Sequence, residues 1–72
     1  MWIYKSRIGP MRIYRKDDGY ALEIASNVYG FYASPEAAAD DVASFVTGCY
    51  DWDKLDCRIS NYPVDLSCWT QT

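Results

Sequence analysis

Hydrophobic and polar positions alternate along the first 32 residues, and then the period changes. Residues 2–8, Trp-Ile-Tyr-Lys-Ser-Arg-Ile, have the β-branched and aromatic content of a strand. Gly9-Pro10 interrupts it, because Pro10 lacks an amide donor and restricts the residue before it. Residues 11–16 read as a second strand, with Met11, Ile13 and Arg15 on one face and Arg12, Tyr14 and Lys16 on the other. Asp17-Asp18-Gly19 then predicts a hairpin turn in which glycine supplies the positive φ. A third strand over 20–25 sets Tyr20, Leu22 and Ile24 on one face. Ser26-Asn27 makes the next turn, and Val28-Tyr29-Gly30-Phe31-Tyr32 a fourth strand. Apolar and uncharged on both faces, that fourth strand is either buried centrally or a self-associating edge.

From Ser34 the spacing becomes helical. Ser34 can cap free amides, Pro35 suits the first helical position, and Glu36 meets the positive end of the helix dipole. Ala38, Val42, Phe45 and Val46 form an inward stripe, and Gly48 supplies the terminating glycine, so a helix is predicted over 35–47. Beyond it, Trp52 and Leu55 are expected to point inward from a short helical turn, and residues 63–69 form a turn or an extended segment. The predicted fold class is α+β. It is a three- to four-stranded antiparallel meander with one helix on one face and a short irregular C-terminal segment.

The run Tyr32-Ala33-Ser34-Pro35-Glu36-Ala37-Ala38-Ala39-Asp40-Asp41-Val42 is followed by Thr47-Gly48, Trp52-Asp53 and the late set Pro63, Asp65, Leu66 and Trp69. On these motifs the chain resembles a group of small uncharacterised bacterial proteins. They share a strand meander, a Y-x-S-P-x-x-A-A-D-D-V helix start and a late P-x-D-L-x-x-W. The resemblance covers most of the chain and implies a self-contained domain of bacterial or prophage type. It brings no catalytic residues.

Composition narrows the function classes. At 72 residues, half of them hydrophobic, the chain is expected to form a single domain over 1–72 and to be too apolar for intrinsic disorder. No apolar run approaches the roughly 18 residues a membrane span needs, and no secretory signal is read at the N-terminus. Cys49, Cys57 and Cys68 are odd in number and form no C-x-x-C pair, which suits free thiols in a cytoplasmic protein. There is no histidine, so the commonest general base and the commonest metal ligand are both missing. Neither the cysteines nor Ser34, Ser44 and Ser67 have a partner base, and a non-enzymatic protein without cofactor or small-molecule substrate is expected.

Charge changes the picture further. Ten acids face seven bases, yet residues 1–16 hold five bases and no acid. The basic segment is interleaved with aromatic rings. The first expectation is a protein-interaction domain, its partner another protein or itself, with anchors at Trp2, Tyr4, Tyr14, Tyr29 and Tyr32 and with Arg12 and Arg15 for electrostatic selection. The alternative is a single-stranded nucleic-acid binder that uses Trp2, Tyr4, Lys5, Arg12, Tyr14 and Lys16 as a stacking platform. A third reading is an acidic mimic of nucleic acid drawing on Asp40, Asp41, Asp51, Asp53 and Asp56. The spacing of Asp51, Asp53 and Asp56 also raises cation binding, but the glycine and glutamate of a calcium loop are missing and no metal site is predicted. Asp41, beside Val42, is expected to be structural.

Overall fold

Three two-residue turns fold the first 32 residues back and forth, and one helix closes over a single side of the product. The structure is a computed structural model that describes residues 1–72. Strands β1 (Trp2–Ser6), β2 (Gly9–Lys16), β3 (Gly19–Ile24) and β4 (Asn27–Tyr32) form an antiparallel meander. Helix α1 (Pro35–Ala43) and the one-turn helix α2 (Tyr50–Asp53) follow. A 3₁₀ turn at Leu66–Cys68 leads into β5 (Thr70–Gln71), which pairs with Trp2 and Ile3 of β1 and makes the order β4-β3-β2-β1-β5. The fold is therefore the expected α+β arrangement, with a fifth, two-residue strand that the sequence pattern did not indicate.

The core forms where the helix-facing rows of the sheet meet α1 and the loops after it. Met11, Ile13, Leu22 and Ile24 are fully buried from the sheet, as are Ala38 and Val42 from α1. Small alanines let the helix approach closely. Trp52 fills the space beyond the helix end; its indole N–H donates to the Val42 carbonyl at 2.9 Å, and its ring stacks on Phe45 with centroids 5.0 Å apart. The helix start is as predicted, with Ser34 Oγ accepting from the Ala37 amide at 3.2 Å and Pro35 in the first turn.

Several local expectations fail for definite reasons. The helix stops at Ala43 rather than 47. Phe45 takes a positive φ of 57°, and the amides of Phe45 and Val46 donate back to the Val42 and Asp41 carbonyls at 3.2 and 3.1 Å. This is a Schellman ending built on phenylalanine instead of glycine. The φ is unfavourable for a bulky residue, and Phe45 holds it because its ring lies between Trp52 and Tyr62. The reversal carries Val46 out to solvent, contrary to the predicted stripe. Gly48, also at positive φ, belongs to the following loop. Gly9 and Pro10 open β2 instead of separating strands, and the turn falls at Arg7–Ile8.

The hairpin glycine is also reassigned. Asp17, not Gly19, takes the left-handed conformation, at φ 53°. Gly19 stands in β3, where an added Cβ would sit 2.6 Å from the Tyr32 carbonyl oxygen, so close backbone approach is its reason. The last turn shifts by one residue, to Ala25 at φ 50° and Ser26 at φ 74°.

Candidate interaction surface

α1 covers one face of the sheet, and the opposite face is open. Cross-strand pairing sets the rows of that open face. Ile3, Arg12, Glu23 and Val28 lie side by side across β1 to β4, and Thr70 of β5 lies beyond Ile3. The adjacent row is Tyr14, Ala21 and Phe31. Lys5 beside Pro10 and Lys16 beside Gly19 stand at its two ends.

A bulge decides what β4 contributes. Leu22 pairs with Gly30 and Glu23 with Val28, so Tyr29 is an extra residue in β4. Without it, strict alternation would set Val28 and Phe31 on opposite faces; with it, both reach the open one. Phe31 is 64% exposed and Val28 43%. Between Tyr14 and Phe31 the small Ala21 is fully covered.

The surface is polar at defined points. Arg12 Nη1 donates to Glu23 Oε2 at 2.7 Å, a cross-strand ion pair. The Lys16 ammonium lies 5.8 Å from the Phe31 ring centroid, within cation–π range. Lys5, Arg12 and Lys16 share this face with Glu23, whereas every acid other than Asp17, Asp18 and Glu23 lies in residues 33–72, in α1, α2 and the loops. The uneven charge along the chain therefore becomes an uneven charge across the molecule.

The predicted anchors separate. Arg12 and Tyr14 lie on the open face, as do Lys5 and Lys16 of the stacking-platform set. Trp2 and Tyr4 pair with Ile13 and Met11 and so point to the helix side. There Trp2 meets Tyr20 edge-on at 6.1 Å and Tyr4 packs on Trp69 at 5.7 Å. Arg15 lies over the Tyr20 ring on that same side. Tyr32 is half-buried there, and its hydroxyl donates to Asp41 Oδ2 at 2.8 Å. Burial, then that bond, pushes the Tyr32 phenol up to about 12. Tyr29 occupies the bulge at the sheet edge, and the Cys49 thiol beside it raises its phenol above the ordinary value. Phe31, Val28 and Ile3 also lie on the open face; they are not among the predicted anchors, although the strand holding Val28 and Phe31 is read as a possible self-associating edge. Alternation around Arg12 and Tyr14 points to Ile3 once β1 is in register, but nothing in the sequence marks the bulge.

The acidic residues divide as well. Asp53 accepts from the Thr47 amide at 3.0 Å, the Thr47 hydroxyl at 2.8 Å and the Gly48 amide at 2.9 Å, so its carboxylate ties the loop before α2. Asp51 faces Lys54 at 3.7 Å, and Asp56 accepts from the Cys57 thiol. No three potential ligands converge on a metal position. Asp41 is structural through Tyr32, while Asp40 is exposed. All three cysteines are unpaired, Cys49 buried and Cys57 and Cys68 exposed. One hollow of about 490 Å³ runs beside β1, lined by Ile3, Tyr4, Lys5, Cys68 and Thr70, with Lys5 its only charged group. No helix is long and apolar enough to cross a membrane. No family model, no curated protein and no solved structure matches the chain.

Proposed function

We propose that this protein is a small non-enzymatic interaction domain that binds another protein chain on the open sheet face and its β4 border. One observation carries the reading. The meander is covered on one side only, and the uncovered side sets Ile3, Tyr14, Val28 and Phe31 around the Arg12–Glu23 pair and runs out at β4 to an edge with no strand beside it. Exposed apolar and aromatic residues grouped about one ion pair, on a face nothing covers, have the mixed composition of a binding patch. Outside the sheet and Met1, the exposed large apolar residues are Val46, Tyr50 and Val64, drawn from the loop after α1, the start of α2 and the loop before the 3₁₀ turn, and single exposed apolar residues are ordinary surface. The test is a photoreactive amino acid introduced at Phe31 and, separately, at Val46. A discrete crosslinked protein species is expected from position 31 and none from position 46. Equal or reversed yields would refute the assignment.

A second reading has its own support, because Lys5, Arg12 and Lys16 share the open face with two rings, Tyr14 and Phe31, while most acids lie elsewhere. A single strand of nucleic acid could stack there. The platform is smaller than the sequence suggested, since Trp2 and Tyr4 face the core. Titration with short oligonucleotides at low and moderate salt distinguishes the two readings. This one expects salt-dependent amide shifts confined to the open-face residues of β2 to β4, and their absence dismisses it.

A further inference from the structure

The sheet has two edges, and they differ in kind. β5 is two residues long and polar, and it is tied down by the chain ends, with the Thr72 amide donating to the Met1 carbonyl at 2.8 Å. β4 is six residues long, carries no charge, and has no strand alongside its outer edge. Natural edges are usually protected by charge, proline or a bulge, and β4 has only the bulge.

That bulge gives the edge an unusual spacing. A two-residue hairpin turn is flanked by a hydrogen-bonded pair, here Ile24 and Asn27. The next pair, Glu23 with Val28, is then not hydrogen-bonded, and the Val28 amide and carbonyl point away from β3. At the far end the Tyr32 carbonyl points toward β3, close to Gly19, so the neighbouring Phe31 groups point outward. Outward-facing residues in a regular strand are two apart; in β4 they are three apart, at 28 and 31. A regular strand does not match that spacing, but a second β4 running antiparallel matches it by symmetry.

We infer that the partner on the β4 border is a second copy of this chain, joined by antiparallel β4–β4 pairing about a two-fold axis that sets Val28 of each copy opposite Phe31 of the other. The inference rests on the reading of this face as an interaction surface and names its occupant. Such an interface is isologous and closed, so it yields a dimer and not a filament. The pairing also sets Tyr29 opposite Gly30, whose side-chain position the chain's own Tyr32 ring already fills. Charge complementarity favours the same register. Lys16 lies over Phe31, and Glu23 is the cross-strand neighbour of Val28, so each copy brings its lysine toward the other's glutamate. The whole strand offers only six residues a side, against roughly 20–30 in a standard interface, so the dimer is weak and strongly concentration-dependent.

Sedimentation equilibrium over a wide concentration series tests this. The mass is expected to rise from 8.3 kDa toward twice that value and to stop there. Val28→Pro removes an outward amide while sparing the β3 ladder, and it should keep the native amide spectrum and remain monomeric. Lys16→Glu, a surface change that leaves the strand intact, should weaken the dimer at least several-fold and decides the matter if the proline variant unfolds. A wild-type monomer at all concentrations overturns the inference, as do growth beyond a dimer and undiminished dimerisation of Lys16→Glu. The crosslinker at Phe31 separates the two failures. Capture of a different protein there would keep the interaction surface and reject the second copy, whereas no capture in a monomeric protein would reject both.

Discussion

The two faces of this sheet are built from the same strands, residue by alternate residue, and they divide the work of the molecule. On the helix side, Met11, Ile13, Leu22 and Ile24 have no exposed surface and meet α1, Trp52 and Trp69. On the open side, the neighbours of those residues are Arg12, Tyr14, Ala21 and Glu23, bordered by a phenylalanine that stands mostly in water. The core side spends its aromatic rings on one another, as in the Phe45–Trp52 stack and the Tyr4–Trp69 contact. The open side leaves Tyr14 and Phe31 apart, with only Ala21 between them. A chain of 72 residues has a small stability reserve, so apolar area that does not reach the core needs another reason to be grouped.

The two faces differ most when a core ring is removed. Trp52→Ala deletes the stack on Phe45 and the bond to the Val42 carbonyl, a loss of about 3–5 kcal/mol that matches the stability expected of so small a domain. Circular dichroism should find this variant largely unfolded at 25 °C.

Next in size is the difference between two tryptophans. Trp52 has its indole N–H satisfied, whereas the Trp69 indole N–H is buried without a partner. Replacement by phenylalanine takes from the Val42 carbonyl one of its donors, leaving the Phe45 amide, whereas at position 69 it removes an unsatisfied donor. Trp52→Phe should therefore cost at least about 1 kcal/mol more than Trp69→Phe in denaturant unfolding.

Asp53 ties the loop that lets Trp52 enter the core. Asp53→Ala loses three hydrogen bonds to one carboxylate, two of them from backbone amides, and should lower stability by about 2 kcal/mol at neutral pH. Asp53→Asn, which keeps one acceptor oxygen, should lose less.

A smaller effect is expected in alkali. The folded protein holds the Tyr32 phenol at about 12, above its ordinary value of 10.0, so folding favours the protonated form. The stability contributed by the Tyr32–Asp41 contact is complete below pH 10 and is lost as pH rises through 12. Tyr32→Phe should melt lower than wild type at pH 8 and approach it above pH 12. A constant gap across that range would contradict the assignment.

Much of this division was legible in the alternation. The parity of Met11, Ile13, Leu22 and Ile24 against Arg12 and Tyr14 follows from two-residue periodicity and one short hairpin, and Ser34-Pro35 marks the helix start by its own capping chemistry. What stayed hidden depends on single backbone choices. Setting the first turn at Gly9-Pro10 instead of Arg7–Ile8 loses the register that puts Trp2 and Tyr4 opposite Ile13 and Met11. A bulge is an insertion of one residue with no composition of its own, so Val28 and Phe31 could not be seen to share a face. Glycine misled twice: Gly19 makes room for the Tyr32 carbonyl, and the reversal after the helix is made by Phe45 in place of Gly48, its strained φ held by the rings of Trp52 and Tyr62. The two residues of β5 are too few to show any period.

On this division of the two faces, the open one contributes little to what holds the protein together. Thermal unfolding of Phe31→Ser, carried out dilute so that association does not contribute, tests it most directly. Phe31 is 64% exposed, and a change there should alter stability by no more than about 0.5 kcal/mol, a shift of less than about 4 °C for a domain of this size. A fall approaching that of Trp52→Ala would contradict the account and return Phe31, with the face around it, to the core.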